Sequence, residues 1–440
     1  MLDENAVKKK KFDFSSLLRT EDWWTLWLGL LLLVLAAAGL ITVIPRLPGW
    51  SDNIADALPL DLVPQLLLLG LSLALVSSIA VGTIKKSGKE MKKFLTGFPL
   101  IFVLAVLAYI FGNQASLKHY GFSDVIWALV FGLVISNVFG KPKWLVPALR
   151  TELFIKIGLV LMGAEILFNR ILTLGVYGLG VAWIVTPIVI FAMYQYGIRG
   201  LKMKNKSLVA TISACTSVCG VSAAIATGAA TKAKKEEVSM AISISLIFTV
   251  IMMIGEPLLI KWLNLSEAVG GAWIGGTVDS TGAVVVAGSM VGPLAMEIAA
   301  VVKMLQNVLI GLVAFVFAMI FVVQEQNQLR QRPKVAEIWH RMPKFIIGFV
   351  LASIVFSFVL IPLMGQESVD EILTVTAALR KWLFTLAFVS IGLDSRISDL
   401  AKMCKGGKPI ILYVVGQTFN LLLTLLAAWI FFSGKFFGSV

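Results

Sequence analysis

The feature that most limits what this chain can fold into is its alternation of long apolar runs with short charged loops. A helical run of about eighteen or more apolar residues matches the roughly 30 Å hydrocarbon core of a bilayer. Such runs lie at Trp23–Ile44, Leu62–Ile84, Phe94–Phe111, Asp124–Phe139, Thr151–Phe168 and Ile171–Gly197. Others follow at Val238–Gly255, Leu294–Val323, Phe345–Leu363, a shorter one ending near Leu393, and Ile410–Phe432. Composition agrees, because only 14% of residues are charged and 58% are hydrophobic, whereas a soluble chain carries roughly 25% charged residues. No polar stretch reaches the size of a soluble domain, on the order of 100 residues. The expected organisation is a cytoplasmic N-terminal tail over residues 1–22, one transmembrane domain over 23–433, and a short C-terminal tail over 434–440. The first run exceeds a signal-peptide core of roughly 7–15 residues, so it reads as an uncleaved span.

The formal net charge of +13 does not point to nucleic acid, because Lys and Arg gather in the loops between apolar runs. That is the positive-inside pattern. Lys8–Lys11 in the tail, then Lys85, Lys86, Lys89, Lys92 and Lys93, mark one side. Lys141, Lys143 and Arg150 share it, as do Arg199, Lys202, Lys204 and Lys206, and then Arg330, Arg332, Lys334 and Arg341. The intervening loops, Arg46–Asp61 and Gly365–Glu371 among them, are poor in these residues. The rule gives this multi-pass chain a cytoplasmic N-terminus and a C-terminus outside; the expected location is a cell inner (plasma) membrane.

Two segments break the pattern. Ser207–Thr231 and Ala268–Gly292 are each long enough to cross once, yet small and polar residues interrupt both at mid-depth. Ser213, Thr216, Ser217, Gly220 and Ser222 do so in the first; Gly275, Gly276, Thr277, Asp279, Ser280, Thr281 and Gly282 do so in the second. Each reads as two half-length helices joined by unwound chain. A single crossing by the first segment would put Lys232, Lys234 and Lys235 outside, so the charge rule favours re-entrant hairpins entering from opposite faces over broken crossing helices. A weaker internal repetition pairs Gly158–Glu165, followed by Arg170, with Phe388–Asp394, followed by Arg396.

Irregular backbone survives at membrane depth only inside protein or beside water, so paired interrupted helices mark a binding site of a transporter. The half-helix starting at Gly220 would aim N–H groups and a positive dipole end at the membrane's middle, which suits an anion. Ser217, Cys219 and Ser222 can add donors, and a small-residue packing seam is the competing reading. Asp279 stands alone between Glu267 and Glu297 in an apolar segment. An Asp at a helix centre costs roughly 2.5–3.5 kcal/mol to insert, which points to a role in coupling to H⁺ or Na⁺; a helix cap is the alternative. Lys303 could be a countercharge for substrate or a partner of Asp279, or it could snorkel to the interface. Gln306 and Asn307 follow it on the next turn. Arg380 and Lys381 read as an outer amphipathic turn in preference to an anion pathway, Glu152 and Lys156 as an i,i+4 pair, and Glu256 before Pro257 as a helix-end residue.

The stretch Thr216-Ser217-Val218-Cys219-Gly220-Val221-Ser222-Ala223 resembles the YeiH-type family of bacterial membrane proteins, labelled sulfate exporters. So do Gly276-Thr277-Val278-Asp279, Val284–Gly288, Val302-Lys303-Met304-Leu305, Ile391-Gly392-Leu393 and Gly407-Lys408-Pro409. The resemblance covers about Ser123 to the C-terminus. It implies a secondary transporter with an inverted-repeat membrane fold. The sequence departs at Asp279 and Ala283, where the family pattern often has His and Gln.

The expectation is therefore an all-α polytopic membrane protein with about eleven transmembrane helices plus two broken or re-entrant segments. Its expected function is secondary active transport, as export, of a small anion such as sulfate, sulfite or a sulfonate. Ser217, Cys219, Gly220, Ser222, Thr277, Ser280, Lys303 and Asn307 would bind substrate, and Asp279 would couple transport to H⁺ or Na⁺. A cation-coupled carrier of organic acids or amino acids is the second reading, and an intramembrane enzyme a remote third. No Walker-type nucleotide motif is present, and three cysteines and two loop histidines, His119 and His340, suit neither a disulfide framework nor a metal site. No cofactor is expected. The partners are the lipid bilayer and a small anion, not nucleic acid, and a homo-oligomer is compatible with the sequence.

Overall fold

The computed structural model describes residues 20–119, 123–324, 343–395 and 407–438. The Lys8–Lys11 cluster, Arg330, Arg332, Lys334, Arg341, His340, Arg396 and the side chain of Arg170 lie outside the described residues. Every run expected to span forms a helix. They are α1 (Glu21–Ala37), α2 (Val63–Lys85), α3 (Gly88–Gly112), α4 (Asp124–Val138), α5 (Thr151–Glu165) and α6 (Ile171–Gly200). After these come α7 (Lys206–Ser217), α8 (Gly220–Ala230), α9 (Lys235–Trp262), α10 (Glu267–Thr277), α11 (Thr281–Val291) and α12 (Pro293–Gln324). The last three are α13 (Phe345–Met364), α14 (Gln366–Asp394) and α15 (Lys408–Phe432). Among the described residues, eight of these are long and apolar enough to cross a membrane. The other three expected spans, α1, α4 and α5, are helices of 17, 15 and 15 residues. The protein is a polytopic, all-helical membrane protein.

The helices fall into two groups. In the first, α5 and α14 form a centre, with α1 and α13 against α5, α4 against α14, and α2 and α3 outside. Aromatic stacking of Phe102 and Tyr109 on Trp382 ties α3 to α14. In the second group, α7–α12, α6 and α15 pack around the two interrupted segments. The groups meet where α11 lies against α4, α5 and α14. Glycines set several of these distances. A Cβ at Gly271 or Gly275, four residues apart on one face of α10, would press into the backbone of Ala295 or Ala299 on α12. The small-residue seam is thus real, and it fixes how deep α10 sits against α12.

Both interrupted segments are hairpins. Helix α7 begins with Asn205 as its cap, accepting from Leu208 N at 3.1 Å. The Asn205 amide and the Ser207 hydroxyl donate to the two carboxylate oxygens of Glu237, at 2.6 and 2.8 Å. Glu237 is at the start of α9, only a few residues beyond the end of α8. A crossing helix of this length would separate Asn205 from Glu237 by over 30 Å; instead they touch. The same test holds for the second segment. Glu267, at the start of α10, accepts from the backbone N–H of Leu294 and Ala295 at 3.0 and 3.3 Å, just past the end of α11. Because α9 crosses between the two mouths, the hairpins enter from opposite faces.

Two side-chain expectations change. Glu256 is not at a helix end: α9 continues through Pro257 to Trp262, and Glu256 is buried. A membrane helix tolerates an internal proline where neighbouring helices cover the freed carbonyl. Arg380 and Lys381 are not an outer amphipathic turn, because they lie within the continuous helix α14. Arg380 makes two hydrogen bonds to Glu165 of α5, at 2.7 and 2.8 Å. Lys381 lies 3.5 Å from Asp124 of α4. Burial in lipid disfavours a lone charge, and the acids on the neighbouring helices supply the compensation. Glu152 and Lys156 do pair, at 3.3 Å, and Lys156 also reaches Asp22 of α1 at 2.7 Å.

The hairpins give a labelling prediction. Single cysteines at Lys204 and Lys234 should react with an impermeant reagent from the same side of the membrane, and one at Asn264 from the opposite side. Labelling of positions 204 and 234 from different sides would rule out the hairpin.

Candidate functional site

The two hairpin tips meet in the interior. The backbone N–H of Gly220, first residue of α8, donates to the carbonyl oxygen of Asp279 at 2.8 Å. A Cβ on Gly220 would collide with the Ser245 hydroxyl and approach Asp279, so only glycine permits this contact. Gly220 was expected to present a free N–H to a ligand. That N–H is already used, and the residue's role is the joint between the tips.

Asp279 is 2% exposed and sits between Val278 and Ser280 in the unwound link of the second hairpin. Its carboxylate accepts from the Ser245 hydroxyl of α9 at 2.8 Å and from the Tyr413 hydroxyl of α15. Tyr413 is held by stacking on Phe248, centroid to centroid 4.7 Å. Ser280, not Asp279, is the N-cap residue of α11. The cap reading of Asp279 therefore fails, since its side chain points to α9 and α15.

Lys303 does not snorkel. It is 1% exposed in the middle of α12, and its ammonium donates to Val218 O at 2.7 Å and to Gln306 Oε1 at 2.5 Å. Val218 is in the unwound link of the first hairpin, so Lys303 neutralises the exposed carbonyl of that break. Its expected pairing with Asp279 is not formed; each has other partners. An ammonium has three N–H groups, so one is left for a further acceptor. Gln306 continues the network, its amide donating to Ser217 O at 2.9 Å and Gly276 O at 3.0 Å. It thus ties the last turns of α7 and α10 together. Asn307 donates to the Thr281 hydroxyl at 3.1 Å, while its own Oδ1 is buried without a partner.

The other expected binding residues divide. Cys219 is the N-cap residue of α8, within electrostatic reach of both Lys303 and Ser222. Ser222 is exposed on the first turn of α8, where its hydroxyl and backbone lie within hydrogen-bonding reach of Cys219. Ser280 and Thr281 lie at the N-terminus of α11, where a Cβ on Gly282 would only touch Thr151, Ile155 and Ile391 of the first helix group. Ser217 and Thr277 turn away: Ser217 donates to Ser213 O at 2.8 Å, and Thr277 to Glu256 Oε1 at 2.7 Å. Their carbonyls take part instead, receiving Gln306 and Gln417. Sequence reasoning missed Ser245, Tyr413, Gln417, Asn420 and Glu256. The three on α15, Tyr413, Gln417 and Asn420, recur at helical spacing within an apolar run, and that buried polar stripe is the signal that could have found them.

Nearer the mouth of the second hairpin, a cavity of about 540 Å³ lies between the two groups. Asn113, Asp124, Ser289, Met296, Arg380 and Lys381 line it.

The class is therefore a polytopic helical membrane protein with two opposed re-entrant hairpins whose broken tips are joined at a buried polar centre. Residues 96–413 match the family model described as conserved hypothetical protein 698. A UPF0324 membrane protein of Rhodopirellula baltica is 47% identical over 398 residues, covering 89% of this chain and 72% of that protein. One of Nitratidesulfovibrio vulgaris is 46% identical over 86% of this chain; the match spans 65% of its length, just under two thirds. One of Nitrosomonas europaea is 28% identical over 98% of this chain and 99% of its own. The chain belongs to this family of UPF0324, or YeiH-type, membrane proteins. No solved structure matches it.

The bonding predicts an order of stability. Asp279→Asn keeps an acceptor for Ser245 and Tyr413, so its cost should be about 1 kcal/mol. Lys303→Met strips donors from Val218 O and Gln306 Oε1, each worth roughly 1–3 kcal/mol when buried. Thermal unfolding in one detergent should rank Lys303→Met clearly below Asp279→Asn. The reverse order would mean that Asp279 and Lys303 depend on each other.

Proposed function

We propose that this protein is a secondary transporter of a small anion, with sulfate or a related sulfur oxyanion or sulfonate as the preferred class. The observation that carries the reading is the meeting of two opposed, broken hairpins at a buried centre holding one carboxylate and one ammonium. Unwound backbone survives at that depth only where protein satisfies it or where it lines a cavity, and paired breaks of this kind point to a transporter's binding site. The anion-facing groups are the first turn of α8, with Cys219 and Ser222, the free N–H of Lys303, and the N-terminus of α11 at Ser280 and Thr281. Half-helix N-termini offer unpaired N–H groups and a positive dipole end. The cavity lined by Arg380 and Lys381, each facing an acid of a neighbouring helix, supplies a polar vestibule on the face opposite the Lys-rich loops.

Asp279 is the coupling residue in this proposal. Its two hydroxyl partners can either donate to an ionised carboxylate or reorient around a protonated one. That versatility lets one site exist loaded and unloaded with H⁺ or Na⁺ without breaking the fold. Export, with the Lys-rich loops cytoplasmic and the site formed as an inverted repeat, completes the proposal.

The test uses purified full-length protein in liposomes with radiolabelled sulfate as probe. Counterflow should be saturable and should respond to an imposed pH or Na⁺ gradient. Asp279→Asn should retain sulfate counterflow but lose that response. Absence of sulfate, sulfite, thiosulfate and taurine counterflow in a folded wild type would overturn the anion assignment. A folded Asp279→Asn that keeps the gradient response would remove Asp279 from coupling.

A further inference from the structure

Glu256 has no part in the anion site, yet it is a second buried acid in the same domain, 2% exposed. Its depth follows from its partner. Thr277, whose hydroxyl meets Glu256 Oε1 at 2.7 Å, ends a half-helix that has descended roughly 16 Å from the hairpin mouth. The other oxygen, Oε2, is fully buried and has no hydrogen-bond partner. A second buried acceptor belongs to another residue that contacts Thr277. Gln417 of α15 donates its amide to Thr277 O at 2.9 Å and to the Met252 sulfur at 2.8 Å, and its Oε1 is also buried and unpartnered. Met252 is one turn before Glu256 on α9, so both orphan oxygens flank the same end of the hairpin tip.

Buried acceptors without a donor are unfavourable, the more so if one is charged. A single hydrogen on Glu256 Oε2 changes the count, because a protonated carboxyl is a donor as well as an acceptor. A metal cation would need several oxygens around it, and the nearby Met252 thioether is a soft ligand poorly suited to a hard ion. We propose that Glu256, with Gln417 and Thr277, forms a second proton-binding site of this domain, distinct from Asp279 and loaded in this conformation.

The surroundings make Glu256 answer to the coupling centre. Helices α7, α8, α10, α11 and α15 pack against α9. Their interior titratable groups are Cys215, Cys219, Tyr413 and, in the link before α11, Asp279; Lys303 faces from α12. Of these, Asp279 and Lys303 act electrostatically on Glu256. Lys235, Glu236, Glu237 and Lys261 lie towards the ends of α9 itself. Ser245, which holds Asp279, and Glu256 are eleven residues apart and so share one face of α9, separated by roughly 16 Å along its axis. Thr249 and Met252 occupy the same buried face between them. A proton on Glu256 removes one of two like charges from this interior.

The functional half of this assignment rests on the transport reading; proton binding does not. Infrared difference spectra of the full-length protein, recorded in lipid without substrate while pH is raised, report carboxylic-acid C=O bands directly. The wild type should show a band that disappears reversibly with rising pH, is missing in Glu256→Gln and persists in Asp279→Asn. Gln417→Leu, which removes the second buried oxygen around Thr277, should shift its frequency, and this keeps the test open if Glu256→Gln fails to fold. A folded Glu256→Gln that retains every carboxylic-acid band would overturn the proposal, as would an unmoved band in Gln417→Leu. Failure of sulfate counterflow with these bands present would count against the anion reading alone.

Discussion

The arrangement depends on one backbone hydrogen bond, from Gly220 N–H to Asp279 C=O. Each partner belongs to a break in a helix, where a peptide group has lost its ordinary mate. In hydrocarbon such groups cannot turn to water, so each break must be satisfied by protein. The two hairpins satisfy each other at this point. The remaining loose carbonyls, of Val218, Ser217, Gly276 and Thr277, are met by Lys303, Gln306 and Gln417. Polar side chains of α12 and α15 thus exist where they do because the hairpin backbones need donors. In the proposed reading, the anion and ion sites are built from what those donors have left over.

Much of this was legible in the sequence, for a physical reason. Membrane helices announce themselves by length and hydropathy, and a break announces itself by small and polar residues in an apolar run. The breaks at Val218-Cys219 and at Val278-Asp279-Ser280 fall inside the segments read as interrupted. The hairpin form was legible only through charge, because Lys232, Lys234 and Lys235 must share a side with Lys206. Glu237 and Glu267, which close the hairpin mouths, gave no such signal; acids at helix starts are common.

What was not legible is pairing over long sequence distances. Lys303 and Asp279 look like natural partners along the chain, two opposite charges among apolar residues. Their actual partners, Val218 O on one side and Ser245 and Tyr413 on the other, come from elements up to 134 residues away. Glu256 was misread for a related reason. A proline beside an acid marks a helix end in water, but lipid and surrounding helices keep α9 intact through it. Arg380 and Glu165, 215 residues apart, could not be matched before α5 and α14 were seen to pack.

The sparse boundary at Gly282 has a mechanical meaning. There the N-terminus of α11 rests on Thr151, Ile155 and Ile391 of the first group, with room for a Cβ on Gly282 at ordinary van der Waals distance. The hairpins, by contrast, are locked tip to tip and stapled to α12 and α15 by buried amides. Shear concentrates where bonding is weakest, so relative movement should run between the two helix groups and not between the two hairpins. Under the proposed transport reading, the polar centre would then travel as one piece past the wall of the first group, with access changing from one face to the other as the wall covers one mouth and exposes the next.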